Sequence, residues 1–231
     1  MAKKTPMPVP KTSTTRAPRR RAIGRPAATA EGVGREGLIE TTCQLLQELP
    51  PNLVTRAEVA RRANVDPSLI RYYFQDRSSL LVAATERITH NYSRTLARAA
   101  LRAGPSAESR LRARVNAIID LIVTFPFFLR LFIEELNGSA AKAGDKLFRA
   151  TVLEGVHDLR QVIEQGTRSG ELKPTNVPFL FIALLGMAEC FVTSAPLLKI
   201  AAGGRLDPVK ATKRYKAFVA DALIDGLRAP A

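Results

Sequence analysis

Residues 54–77 read V-T-R-A-E-V-A-R-R-A-N-V-D-P-S-L-I-R-Y-Y-F-Q-D-R, which parses into helix, tight turn, helix. Thr55 followed by Glu58 has the spacing of a capping box, in which each side chain satisfies a free amide at a helix start. Val59, Ala60 and Ala63 supply a narrow apolar face of small residues, suited to close helix approach. Asn64 falls where the first helix has to stop, and asparagine tolerates the left-handed backbone that such a stop often needs. Asp66 and Pro67 suit the N-cap and first helical position of the next helix. In that helix Ile70 and Phe74 point inward, Ser68, Arg71 and Tyr72 point outward, and Leu69 and Tyr73 lie on the flanks. Two short helices so joined form a helix-turn-helix, whose second helix fits a DNA major groove. Periodicity alone leaves a purely structural helical hairpin equally open.

The stretch A-N-V-D-P-S-L-I-R-Y-Y-F-Q-D-R-S-S-L, residues 63–80, resembles the recognition segment of the TetR family of transcriptional regulators. The family pattern there is approximately A-G-V-S-x-x-x-L-Y-x-H-F-x-s-K-x-x-L. Ala63, Val65, Phe74 and Leu80 match it directly, and Ile70 and Arg77 match conservatively. Asn64, Asp66, Arg71 and Tyr73 depart from it. The first two keep the backbone roles; the last two stand on or near the DNA face, so the family's usual base contacts do not transfer. The resemblance is specific over residues 34–82 and architectural beyond them.

The fold it implies is all-α. An N-terminal three-helix DNA-binding domain (34–82) precedes a helical regulatory and dimerisation domain (83–231), and residues 1–33 form a disordered basic arm. The arm carries Lys3, Lys4, Lys11, Arg16, Arg19, Arg20, Arg21 and Arg25 and, through residue 30, no acid. Residues 31–95 are neutral overall, so most of the chain's formal charge of +14 is a tail and not a face. Such a tail favours a polyanionic partner. Arg19–Arg21 and Gly24-Arg25-Pro26 resemble the core of an AT-hook, which lays arginine along an A/T-rich minor groove; an ordinary solvated tail is the alternative.

Several other signals point away from chemistry. Residues 32–37 spell G-x-G-x-x-G, but a polar tail precedes them where a dinucleotide site needs a strand. Cys43 and Cys190 lie far apart in apolar helical surroundings, the pattern of buried, inert thiols in a reducing cytoplasm. The basic N-terminus has no apolar segment behind it, unlike a secretory signal. His90 and His157 are the two histidines, without metal-ligand spacing, and Glu134 and Glu135 are adjacent and diverge on a helix. The expectation is a protein without enzymatic activity, metal or cofactor.

Hydrophobic spacing predicts helices over residues 35–49, 78–101 and 106–125, one from Pro126 to Leu136, and one over 145–169. Residues 178–195 are apolar nearly all round, with Glu189 as the one charge and Pro196 closing the helix. That length and the mid-span acid disfavour a membrane span. The reading is a helix buried against its own domain on one side and a second chain on the other. Residues 207–228 form the last helix, with Ala211, Tyr215, Phe218, Ala222 and Leu223 as its stripe. In the resembled family the corresponding helices build an intermolecular four-helix bundle, so the expected partner is a second copy, joined through residues 178–228.

By the geometry of the second helix and by the resemblance, the expected function is regulation of transcription, as a repressor released from a palindromic operator by a small molecule. A ligand-independent nucleoid-binding protein is the alternative. Pro67, Ser68 and Arg71 face base edges, with Arg71 the reader because a guanidinium binds guanine O6 and N7 bidentately. Leu69 is placed for a thymine methyl. Tyr72, Tyr73, Arg77 and Thr55 are assigned to phosphates, Arg56 to backbone or base, and Arg25 to the minor groove. For the effector, Phe125, Phe128, Phe132, Phe148, Phe181 and Phe191 are candidate walls, with ordinary core packing as the competing reading. Asn116, Asp120, His157 and Glu189 are candidate polar anchors.

Overall fold

The computed structural model describes residues 33–137 and 142–230. Among them are ten α-helices and no strand. The basic arm, with Arg25, lies outside the described residues apart from Val33.

The helix α1 (Arg35–Glu48) ends before the two prolines, the second of which opens a 3₁₀ turn, Pro51–Leu53. Leu38, Ile39, Cys43, Leu45 and Leu46 are its buried side. Next come α2 (Arg56–Ala63) and α3 (Pro67–Tyr73). Between them Asn64 takes the left-handed conformation at φ 53°. Asp66 caps α3 by accepting the Ser68 amide at 2.7 Å, and Pro67 occupies its first turn. Only half of the expected capping box forms on α2. Thr55 Oγ1 accepts the Glu58 amide at 3.1 Å, whereas the Glu58 carboxylate turns to Arg61. An arginine one turn further on competes successfully for that carboxylate.

The long α4 (Arg77–Ala103) opens with a capping box between Asp76 and Ser79 and stops at Gly104, φ 85°. The boundary expected after residue 82 therefore falls inside one continuous helix. α4 packs on α1 and along α5 (Ala107–Thr124), and α5 in turn supports two C-terminal helices, α8 (Val177–Thr193) and α10 (Pro208–Leu227). Leu111, Val115, Ile118 and Ile122 of α5 are each 5% exposed or less. Burying four aliphatic side chains of this size contributes roughly 1.5–3 kcal/mol apiece, which makes α5 the spine of the molecule.

The helix expected from Pro126 is irregular. A short α6 (Phe128–Arg130) passes into a π-helix, Leu131–Leu136, closed by the Asn137 amide donating to the Phe132 carbonyl at 3.3 Å. α7 (Lys142–Ser169) is long and amphipathic. α8 (Val177–Thr193) follows, capped by Asn176. Pro196 does not close the structure there; it sits in the first turn of a further helix, α9 (Ala195–Ala201), where its missing N–H costs nothing. α10 (Pro208–Leu227) is capped by Asp207 as expected. Its inward stripe is Val219, Ala220, Ile224 and Leu227. Of the stripe read from the sequence, Tyr215 and Leu223 pack partly against the core, whereas Phe218 is 68% exposed and Ala222 is exposed. Two apolar stripes share this helix, and periodicity does not say which faces the chain's own core. No single helix among the described residues is long and apolar enough to cross a membrane.

Candidate functional site

The outer face of α3 is built by its inner one. Ile70 (0% exposed) and Phe74 (3%) anchor the helix. With those two fixed, Pro67, Ser68, Arg71 and Tyr72 are all exposed. Residues three and four apart share a helix face, so Arg71 stands directly over Pro67 and Ser68. Tyr72 and Tyr73 meet edge to face with centroids 5.0 Å apart, and Leu69 is half-buried against the core. Thr55 is exposed beside Arg56, whose Nη1 donates to the Gln75 carbonyl at 3.3 Å.

The neutrality of residues 31–95 hides an uneven distribution. Arg61, Arg62, Arg77 and Arg87 each hold a carboxylate, on Glu58, Glu48, Glu135 and Glu36 respectively. Arg56 and Arg71 take part in no ion pair among the described residues. Arg94 on α4 is likewise without an ion pair, and the two helix-turn-helix cations Arg56 and Arg71 are available to phosphate or to base edges.

Arg77, assigned from the sequence to phosphate, is engaged inside the chain. Its guanidinium is half-buried and fully engaged within the chain. Nε donates to the Val54 carbonyl at 3.0 Å, Nη1 and Nη2 to the two Glu135 oxygens at 2.8 and 2.9 Å, and Nη2 also to the Pro51 carbonyl. Its donors are taken up by the chain's own acceptors. The side chain ties the segment leading into α2 to the π-helix of the C-terminal body. Sequence reasoning saw a cation at the start of α4 and had no sight of an acid far along the chain.

Behind the π-helix lies an apolar cavity of about 90 Å³, between α4, α5, α6, α7 and α8. Phe128, Phe132 and Phe181 line it as expected. Phe148 packs on Phe132 with centroids 5.0 Å apart, one layer out. Gly155 completes the wall, since a Cβ there would sit 2.9 Å from the Phe181 ring. Phe125 instead borders a more open cleft of about 240 Å³ between α1, α4 and α5, and Phe191 stacks on Tyr215 at 4.2 Å near α9.

The proposed polar anchors do not converge on the apolar cavity. Asp120 borders the cleft beside α1 together with Phe125 and pairs with Lys216 at 2.6 Å. His157 is exposed and meets Gln161 at 3.0 Å. Asn116 is half-buried on α5 and does not line the cavity. Glu189 is half-buried on α8, also off the cavity wall; burial pushes its carboxyl up, opposed by the charge of Arg130. The polar groups that do reach the cavity are Thr89, Tyr92, Thr151 and Arg114. Arg114 is 8% exposed. The signal for it was present: Arg114 stands three residues after Leu111 and four before Ile118, a charged residue at core spacing.

Of the two thiols only Cys190 departs from the expected burial. Cys43 is buried and donates to the Ala84 carbonyl at 3.6 Å, and desolvation pushes its pKa up to about 12. Cys190 is exposed. It lies on an outward face of α8 with Phe179 (75% exposed) and Ile182 (64%), and Phe218 of α10 is likewise bare.

Residues 104–231 match the model of the tetracyclin repressor-like C-terminal domain. The chain belongs to the TetR family. Over 95 residues it is 33% identical to the HTH-type transcriptional regulator BetI of Stenotrophomonas maltophilia, covering 41% of this chain and 48% of that one. The chain thus matches about half the length of such relatives. Among solved structures it is similar to the ketosteroid transcriptional regulator KstR2 of Mycobacterium tuberculosis, with TM-score 0.64 and 13% identity over 85% of this chain and 95% of that one. It is also similar to AibR solved with isovaleryl coenzyme A and operator DNA, with TM-score 0.61 and 18% identity over 85% and 99%. These likenesses carry the fold.

Proposed function

We propose that this TetR-family protein is a homodimeric transcriptional repressor that reads a palindromic operator with α3 and releases it when a small molecule fills the apolar cavity. It acts by binding, in the bacterial cytoplasm, and not by catalysis. The observation that carries the reading is the outward face of α3. Pro67, Ser68 and an unpaired Arg71 project from a short helix whose opposite side is locked into the core by Ile70 and Phe74. That is what a major-groove reader requires. Thr55, Arg56, Tyr72 and Tyr73 flank this face as phosphate and sugar contacts, with Leu69 half-buried at its edge.

The bare apolar residues on α8 and α10 support dimerisation through residues 178–228, and a dimer sets two recognition helices about 34–36 Å apart or at multiples of that spacing. Phe132 and Glu135 support coupling. The first lines the cavity and the second holds Arg77, which in turn holds the carbonyls just before α2. An effector that displaces the π-helix shifts the anchor of the helix-turn-helix, and a coupling of about 1–3 kcal/mol lowers operator affinity 5- to 150-fold. AibR, solved with both operator DNA and an acyl coenzyme A, shows that this fold accommodates the two activities in one relative.

The deciding experiment is selection of bound fragments from random and genomic DNA by the purified full chain. Enrichment of one inverted repeat is the expected result. Uniform recovery of DNA without sequence preference would identify an architectural nucleoid protein and sink the proposal.

A further inference from the structure

We infer that the cavity's occupant is a short-chain monocarboxylate, its carboxylate held by Arg114 and its apolar tail lying against Phe128, Phe132 and Phe181. This rests on the reading of that cavity as the effector site.

The walls are aromatic and aliphatic side chains, with Thr89, Tyr92 and Thr151 offering neutral polar groups. Into this lining Arg114 brings a full positive charge, more than nine-tenths buried. Its Nε is buried with no hydrogen-bond partner. Its one carboxylate neighbour, Asp158, stands at 3.5 Å from Nη2 and is itself 38% exposed. That separation exceeds the 2.7–2.9 Å of a good charge-assisted hydrogen bond, and the pair forms none. Asp158 offsets part of the charge from the solvent side and leaves the guanidinium under-satisfied.

Guanidinium is a planar fork with parallel donors, and a carboxylate is the ligand group that matches it bidentately. The same charge repels amines and quaternary ammonium groups. A phosphate dianion needs more cationic partners than one arginine in an apolar wall supplies. Size narrows the class further. A cavity of about 150 Å³ holds benzene, so 90 Å³ accommodates a tail of roughly three or four carbons.

The test uses the full chain with butyrate, butyramide and butylamine as matched probes, followed by calorimetry and thermal melting. Butyrate should bind at least about tenfold more tightly than butyramide, the factor expected of hydrogen bonds to a charged group, and butylamine should not bind. Arg114→Gln should remove that preference. Asp158→Asn keeps the guanidinium and deletes its competitor, so it should tighten butyrate binding even if Arg114→Gln fails to fold. Equal or tighter binding of butyramide by the wild type overturns the inference. So does a lack of binding by all three at millimolar concentration, or an unchanged butyrate affinity in Asp158→Asn. Operator affinity separates this from the broader proposal. Butyrate that binds through Arg114 without releasing DNA leaves the site standing and sinks ligand release. Release by an uncharged compound alone does the reverse.

Discussion

α3 and α8 both leave one face in solvent, and the two faces are chemically opposite. On α3 the exposed side carries Ser68, Arg71 and Tyr72; on α8 it carries Phe179, Ile182, Gly186 and Cys190. Water satisfies the hydroxyls and the guanidinium of the first face, so α3 is stable uncovered and meets its partner reversibly. Water gives the second face no such compensation, and contiguous apolar surface of that kind marks an interface. On the function proposed above, the same degree of exposure serves a polyanion that comes and goes in one case and a second copy in the other.

The comparison fails most directly if α8 and α10 prove to be ordinary surface. Phe218→Glu places a charge on a bare position of α10 where 68% exposure leaves folding of the monomer unharmed. The variant should sediment as monomer and lose at least about a hundredfold in operator affinity, because two half-sites are no longer joined. A wild type that is monomeric at micromolar concentration would refute the dimer outright.

Next in size is the arm. The described DNA module is nearly balanced in charge, so residues 1–30 are expected to supply most of the long-range attraction for phosphate. If half of their eight cations neutralise phosphates, the slope of log K against log salt steepens by about 3–4 units per arm. Deleting residues 1–30 should flatten that slope and keep the preferred palindrome. Any preference for A/T-rich flanks contributed by Arg25 should disappear with them. Equal slopes with and without the arm would return the whole electrostatic burden to Arg56 and Arg71.

Arg71→Ala sharpens the α3 side. It should cost about 1–3 kcal/mol per half-site and relax preference at one symmetric base position. A specificity profile that does not change would transfer base reading to Ser68 or Pro67.

Glu135→Gln probes the link between the two regions. Arg77 keeps its carbonyl acceptors and loses its ionic one, so stability should fall by only about 1–2 kcal/mol. Operator affinity should stay near that of the wild type while release by an effector weakens. Retained release would mean that coupling runs along α4 instead.

The smallest effect is chemical. At pH 8 a maleimide should label Cys190 in a monomeric variant, label it slowly in the dimer, and leave Cys43 untouched in both. The folded state holds the Cys43 proton up to about pH 12, against an ordinary value of 9.0. Its contribution to stability is therefore complete below pH 9 and lost as pH rises from there towards 12. A Cys43→Ala variant should lack that alkaline loss.

Local rules carried the helix-turn-helix almost whole, because its determinants lie within one or two turns of each other. Asp66, Pro67 and Asn64 define ends; Ile70 and Phe74 define a side. The same rules failed at Glu58, where two local partners competed, and at residues 131–136, where a π-helix has no short-range signature. For the effector site, the aromatic walls Phe128, Phe132 and Phe181 were legible as apolar residues on helices. The anchors chosen with them were not, since Asp120 and His157 had solvent-side alternatives that the sequence does not reveal.

By itself, then, the sequence determined the all-α class, the position of nearly every helix end, and which side of α3 is turned to solvent. Each depends on side chains and backbone within a few residues, at 3.6 residues per turn. Only the tertiary structure decided that Arg77 is tied to Glu135, that Arg114 reaches the apolar cavity while Asp120 borders the cleft beside α1, and which residues of α10 are turned outward. Those outcomes depend on residues dozens of positions away. A charge or an apolar side chain is the same in sequence whether its partner is water, a distant acid or a second chain. The packing of α5 against its neighbours settles which one it meets.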